Sequence, residues 1–154
     1  MRKNQKINTI LCETQLVMNT EYAEFLLSAI NSADKSIDIL MFVWLYYKND
    51  PAHIISRINH ALTTAVKRGV RVRAMVHNAE VLPYLRELGI EAKALRTNRS
   101  MHAKVFCFDR SAILLGSHNL SDSSTRLNVE MSSYIESETL CAPFCTFFDF
   151  SWSK

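Results

Sequence analysis

The stretch Met101–Ser121, MHAKVFCFDRSAILLGSHNLS, carries two apolar runs separated by a short polar break at Asp109–Ser111. Runs of this length, rich in branched and aromatic residues, read as buried strands, here Met101 to Phe108 and Ala112 to Leu115. A parallel crossover takes a dozen residues or more, so a break this short predicts an antiparallel pair.

Upstream the pattern changes to strands alternating with helices. Ile7 to Leu11, continuing toward Val17, reads as a first strand, and Tyr22, Phe25, Leu26, Ala29, Ile30 and Ala33 recur at helical spacing. Ser36 to Trp44 is a buried strand. Pro51 suits the first position of a second helix whose stripe Ile54, Ile55, Ile58, Ala61, Leu62 and Ala65 ends at Gly69. Val70 to Val76 alternates as a strand does, and a helix from Ala79 to Leu88, with Asn78 as cap and Gly89 as stop, leads to a strand at Ile90 to Leu95. After Met101–Ser121 come a strand at Val129 to Ile135 and a C-terminal helix rich in Phe. The fold class expected is α/β, a mixed β-sheet flanked by helices on both faces. With no repeats or linkers, residues 1–154 read as a single domain.

Of the 154 residues, 48% are apolar, enough for a continuous core. The longest apolar stretch, Ile39 to Tyr47, spans nine residues against roughly 20 for a membrane-spanning helix, so no stable membrane insertion is expected. The first residues turn polar too soon for a secretory signal, which points to a cytoplasmic chain with reduced thiols at Cys12, Cys107, Cys141 and Cys145. Cys141 and Cys145 share a helix face, but no second close ligand pair accompanies them, and buried packing is the expectation rather than zinc. The net charge of +3 fits an anionic partner without requiring one. Lys67, Arg68, Arg71 and Arg73 are read as a solvated cluster.

Side chains two apart in a strand face the same way. His102 therefore pairs with Lys104, and Ser117 with Asn119. If those faces coincide, an imidazole, an ammonium, a hydroxyl and an amide converge, a set suited to a phosphate group. Gly116, without a side chain, would let backbone or substrate come close.

The segment resembles the HKD motif of the phospholipase D superfamily, H-x-K-x4-D-x6-G-S-x-N, and His102, Lys104, Asp109, Gly116, Ser117 and Asn119 fill every fixed position. Asn128 and Glu130 resemble the asparagine and glutamate on that family's next strand. The resemblance implies a phospholipase D-like α/β/α sandwich and a two-step phosphodiesterase reaction. His102 would attack phosphorus to give a phosphohistidine, and a second motif's histidine would protonate the leaving oxygen and then activate water. Lys104, Asn119 and Ser117 would hold phosphate oxygens. Glu130 would orient a histidine through its other ring nitrogen. Asp109, a member of the motif's catalytic set, is expected to support its loop rather than move a proton.

The sequence holds one such motif where the chemistry needs two histidines, so the resemblance implies a homodimer with a shared site, two coupled imidazoles and no metal or other cofactor. Single-motif chains of this length resemble the small nuclease branch, which makes an endonuclease acting on DNA or RNA the leading expectation. Arg96 and Arg99 could grip flanking phosphates, and the run Trp44, Tyr46 and Tyr47 could stack on bases. The alternatives are a lipid phosphodiesterase of phospholipase D or cardiolipin hydrolase type, and a catalytically silent nucleic-acid-binding module. The aromatic run Phe144, Phe147, Phe148, Phe150 and Trp152 is expected to pack on the sheet or to form the dimer contact. His53, His60 and His118 receive no role, and His77 stands only as a candidate for the site rim. The motif does not choose among DNA, RNA and lipid.

Overall fold

Residues 11–95 and 100–154 are described in a computed structural model. Seven strands form one mixed sheet in the order β1-β7-β6-β5-β2-β3-β4. The first half of the chain supplies β1 (Glu13–Met18), α1 (Glu21–Ser32), β2 (Ser36–Met41), α2 (Ile54–Lys67), β3 (Arg71–Val76), α3 (Leu82–Glu87) and β4 (Glu91–Ala94). The second half supplies β5 (Lys104–Phe108), β6 (Ala112–Gly116), β7 (Met131–Glu136) and α4 (Glu138–Trp152).

The α/β expectation, with helices on both faces, is met. β2, β3 and β4 run parallel because helices separate them, whereas β5 and β6 join by a turn too short for a crossover and run antiparallel, and β7 returns antiparallel beside β6. Alternate residues of each strand serve different layers. Ile37, Ile39 and Met41 of β2, with Val72, Ala74 and Val76 of β3, pack under Leu26 and Ile30 of α1 and Ile58 and Leu62 of α2. The opposite face of the same strands presents Leu40 and Met75 to Phe148 of α4, and Cys107 and Ile113 meet Cys141 and Cys145. The C-terminal aromatic run therefore packs on the sheet through Phe148, while Phe147 and Phe150 remain exposed.

α4 is also fixed electrostatically. Arg73 donates two hydrogen bonds to Asp38 at 2.7 and 2.8 Å and a third to Asp149 on α4 at 2.9 Å, and its guanidinium lies over the Phe148 ring. The Arg73 and Asp38 side chains are almost wholly buried, so each charge depends on the other. This corrects the reading of a solvated basic cluster for Arg73, whereas Lys67, Arg68 and Arg71 are exposed as expected. Arg71 is paired with Glu91, and Arg68 closes the carbonyls of Ile30 and Ala33.

Several boundaries also move. The first strand is Glu13–Met18, its proposed start at 7–10 lying outside the described residues. β2 ends at Met41, and Trp44 keeps only an isolated bridge to Leu120. The second helix begins at Ile54 under a cap in which the His53 ring accepts the Ile55 N–H at 3.2 Å, so Pro51 precedes it. A 3₁₀ turn at Ala79–Val81 splits off the start of α3. Asn78 is not its side-chain cap, because that amide is spent on the Trp44 backbone. Gly89 ends α3 at φ +82°, the left-handed conformation expected of a helix stop.

Candidate active site

The groups singled out in the sequence gather where the carboxyl ends of β2, β3 and β6 meet the amino ends of β5 and β7. In an open sheet with parallel strands, this edge is where connections diverge and leave room for a ligand. β2 and β5 pair with Met41 opposite Lys104, so the residues before Lys104 and after Met41 lie together.

His102 stands just before β5 rather than within it, and its ring is exposed, while Lys104 is buried beneath it. The Lys104 ammonium reaches His102 Nδ1 at 3.1 Å and Nε2 at 3.3 Å, and donates to the His102 carbonyl at 2.9 Å. Burial pushes the Lys104 pKa down from its ordinary value, and the negative charge of Glu130 works against that shift. The strand-face argument placed this pair correctly but for an incomplete reason: a loop residue folds back over the first residue of the strand.

Ser117 and Asn119 also lie beyond their strand, since β6 ends at Gly116. The chain then turns to run beside residues 43–45. Leu120 N–H donates to the Val43 carbonyl at 3.0 Å, and Leu45 N–H to the Leu120 carbonyl at 2.8 Å. Asn119 Oδ1 accepts the Val43 N–H at 3.1 Å, which fixes the amide by its oxygen and leaves its NH2 as the donor end. Ser117 Oγ accepts the Met131 N–H at 3.1 Å and donates to the Met131 carbonyl at 3.3 Å. Gly116 has no room for a side chain, because a Cβ there would collide with the Met131 carbonyl and with Ser132. It is the backbone of β7, not a substrate, that requires this glycine.

Glu130 immediately precedes β7. Its Oε1 accepts from Ser124 Oγ and Asn128 Nδ2, both at 3.1 Å. Burial alone would raise the Glu130 pKa, but the polar groups of Ser117, Asn128 and Ser124 around the carboxylate bring it below its ordinary value, so the carboxylate is the favoured form. Ser124 belongs to a single π-helical turn, Ser123–Leu127, in which Asn128 N–H bonds the Ser123 carbonyl five residues back. Asn19, at φ +48°, ties the neighbouring strand in: Oδ1 accepts the Glu130 N–H at 3.0 Å.

His118 points away from the opening. Its Nε2 meets the Asn19 carbonyl at 3.2 Å and its Nδ1 meets Ser132 Oγ at 2.8 Å, with its ring stacked on Tyr22. A carbonyl can only accept, so Nε2 carries the proton and Nδ1 accepts from the hydroxyl. Burial lowers the His118 pKa against the opposing pull of the Asn19 carbonyl and Glu130.

The stacking expectation for Trp44 is corrected here, whereas Asp109, placed in the motif's set, has the loop-supporting position expected of it. Trp44 is completely enclosed and its indole N–H donates to Asn59 Oδ1 at 3.0 Å, so no ring face is open for a base. Asp109 lies at the far end of β5, where its carboxylate accepts the N–H groups of Asp34, Lys35 and Ser36 at 3.0, 2.7 and 2.8 Å. There it lines a separate cavity of about 350 Å³ with Phe25, Ser32 and Tyr134. Arg96 and Arg99 fall outside the described residues.

Phe42 was missed. It is half-buried just past β2, with its ring centroid 4.5 Å from that of His102, 4.9 Å from that of His77, and 4.8 Å from the Lys104 ammonium. In sequence it is one apolar residue within a nine-residue run, with no signal to separate it from the core. Ser124 and Asn19 were equally silent, since serine and asparagine in turns are ordinary. Among the described residues, no group of three or more His, Cys, Asp or Glu is placed to hold a metal ion.

The sequence matches the domain family described as "Cardiolipin synthase, PLD-like domain" over residues 26–152. The chain belongs to the phospholipase D-like family. This phospholipase D-like chain is 31% identical over 130 residues to cardiolipin synthase A of Edwardsiella ictaluri, covering 71% of the chain and 26% of that protein. It is 36% identical over 75 residues to cardiolipin synthase C of Escherichia coli, covering 49% of the chain and 15% of that protein. The chain thus spans about a quarter or less of these curated relatives. In fold it is similar to Nuc from Salmonella typhimurium, a phospholipase D family member, with TM-score 0.78 and 23% identity over 93% of this chain and 95% of that one. NucT from Helicobacter pylori gives TM-score 0.73 and 19% identity over 93% and 97%.

Proposed function

We propose that the chain is a phosphodiesterase that cleaves polynucleotides through a phosphohistidine, with two copies sharing one site. The observation that carries this reading is the His102–Lys104 pair, an exposed imidazole over a buried ammonium, at an edge that also holds Asn119 and Glu130. A phosphate oxygen is a stronger acceptor than an imidazole nitrogen. Substrate would draw the Lys104 ammonium off the ring and free a nitrogen lone pair to attack.

In the first step the His102 nitrogen bonds to phosphorus while the bond to the leaving oxygen breaks. The His102 imidazolium of a second copy gives that oxygen its proton. In the second step water attacks phosphorus, its proton passes to the second imidazole, and the nitrogen–phosphorus bond breaks. Lys104 and the Asn119 NH2 stabilise the charge on the non-bridging oxygens. The negative Glu130 offsets the ammonium and can hold a ring in one tautomer.

Support for the second copy comes from the surface. Leu127 and Val129 are 74% and 82% exposed beside Glu130. Leu115 and Met131 stand exposed on the face that α4 covers farther along, where Ile113 and Ile135 are packed. Such an apolar rim around one half of a two-histidine site is suited to a two-fold partner. Support for a polynucleotide comes from size: the similarity to Nuc and NucT takes in nearly the whole of each chain.

The second reading is a lipid phosphodiesterase. It rests on the same exposed Leu127 and Val129, which could meet an interface, and on the cardiolipin synthase relatives. One experiment separates the readings. Labelled single-stranded DNA, duplex DNA, RNA and cardiolipin vesicles are incubated with the chain in excess EDTA, beside His102→Ala, and the sample is sedimented. Polynucleotide cleavage by a dimer, absent in the variant, is expected. Cleavage of the lipid alone would transfer the assignment to the second reading, and equal activity in His102→Ala would end both.

A further inference from the structure

The site continues past the reacting pair on the side of β3. His77 N–H donates to the Met41 carbonyl at 3.1 Å, so the ends of β2 and β3 stay together one residue beyond their ladder. The next residue, Asn78, is tied to the Trp44 backbone in both directions, its Oδ1 accepting the N–H at 3.0 Å and its Nδ2 donating to the carbonyl at 2.9 Å. His77 is therefore an exposed residue on a rigid mount. Its ring rests against Phe42, whose ring also contacts His102 and the Lys104 ammonium.

Phe42 can make no hydrogen bond to an anion, and the imidazoles of His77 and His102 both lie against it. It acts as a spacer, setting His77 at a fixed remove from His102 along the same strand ends. An imidazole so placed can donate an N–H to a second anionic group of the substrate without reaching the reacting phosphorus.

We infer that His77 is the ligand of a second-phosphate subsite, one that takes the phosphate next to the scissile one in a polynucleotide. This rests on the polynucleotide reading above. A diester with a single phosphate leaves the subsite empty, so His77 contributes to binding chains and not to the chemical step.

The test uses the full chain carrying His102→Asn, which blocks turnover, and compares binding of octathymidylate with binding of thymidylyl-thymidine, which has one phosphate, by NMR titration. Adding His77→Ala should weaken octamer binding about tenfold, the loss expected for one hydrogen bond to a charged group. Dinucleotide binding should be unchanged. His77→Gln, which keeps an N–H donor, should recover most of the affinity. Unchanged octamer binding, or equal weakening for both ligands, would overturn the subsite. The two proposals fail in different ways: His77-dependent octamer binding by a chain that with His102 intact cuts no polynucleotide removes the nuclease and leaves His77 a phosphate ligand with no scissile neighbour, whereas cleavage with no His77 effect on binding overturns the subsite and leaves the nuclease standing.

Discussion

The two ends of β5 carry residues of one sequence motif in opposite circumstances. At the amino end, His102 is exposed and, among the described residues, its nitrogens meet the Lys104 ammonium alone. At the carboxyl end, Asp109 is saturated by three backbone N–H groups of the turn between α1 and β2. Asp109 and Arg110 both adopt positive φ, +52° and +59°, as a tight hairpin turn of the primed kind requires, and Arg110 extends from that turn to Asp149 on α4. A group whose hydrogen-bonding capacity is spent locally shapes the fold. One held in place with capacity to spare can act on something else.

Substitutions at the two ends should separate sharply. His102→Asn is expected to lower turnover by on the order of 10³-fold or more, since a neutral amide can neither attack phosphorus nor carry the proton. Its melting temperature should stay within about 2 °C of the parent, because the exposed ring supports no core contact. A melting loss as large as that of an Asp109 variant would break the comparison.

Asp109→Asn should do the reverse. Replacing a carboxylate that accepts three N–H bonds by an amide should cost about 1–2 kcal/mol, a figure kept low because the group is partly exposed. Activity per folded molecule should change less than about threefold. The pH dependence has a definite sign. Burial works to raise the Asp109 pKa, but the bonds from Asp34, Ser36 and Lys35 hold it below its ordinary value. The stabilisation is therefore complete above the ordinary aspartate range and disappears as pH falls through the lowered native value. Denaturant melts of both proteins should converge in acid, and a gap that persists there would count against the carboxylate as its source.

Ser124→Ala sharpens the contrast with the smallest effect. Loss of one hydrogen bond to Glu130 raises that carboxyl toward its ordinary value, so it takes up a proton at a higher pH than in the parent. Turnover should fall only a few-fold near neutrality, with the deficit growing toward acid. An unchanged acid limb in the pH–rate profile would show that Glu130 does not govern activity through its charge.

The contrast also marks how far the residues could be read before folding. Period and connection length were enough for the antiparallel pair β5–β6 and for the parallel order of β2, β3 and β4, because those follow from side-chain alternation and loop reach. They did not place Trp44, which closed over the core once Asn59 supplied a buried partner for its N–H. Arg73 looked like surface charge until Asp38, on the adjacent strand, accepted both of its arms. Its partner lies 35 residues away, and no local pattern records such a pairing.

By itself, then, the sequence determined the layered α/β order, the family, and the residue types available for phosphate chemistry, since these depend on local periodicity and fixed spacings. Only the tertiary structure decided which of those residues meet. Phe42 and His77 become neighbours because β2 and β3 end side by side, Glu130 keeps its charge because a π-helical turn returns Ser124 to it, and Asp109 leaves the site because a strand separates its two ends. Distance in space is set by strand pairing and loop closure, which bring residues together whatever their separation along the chain.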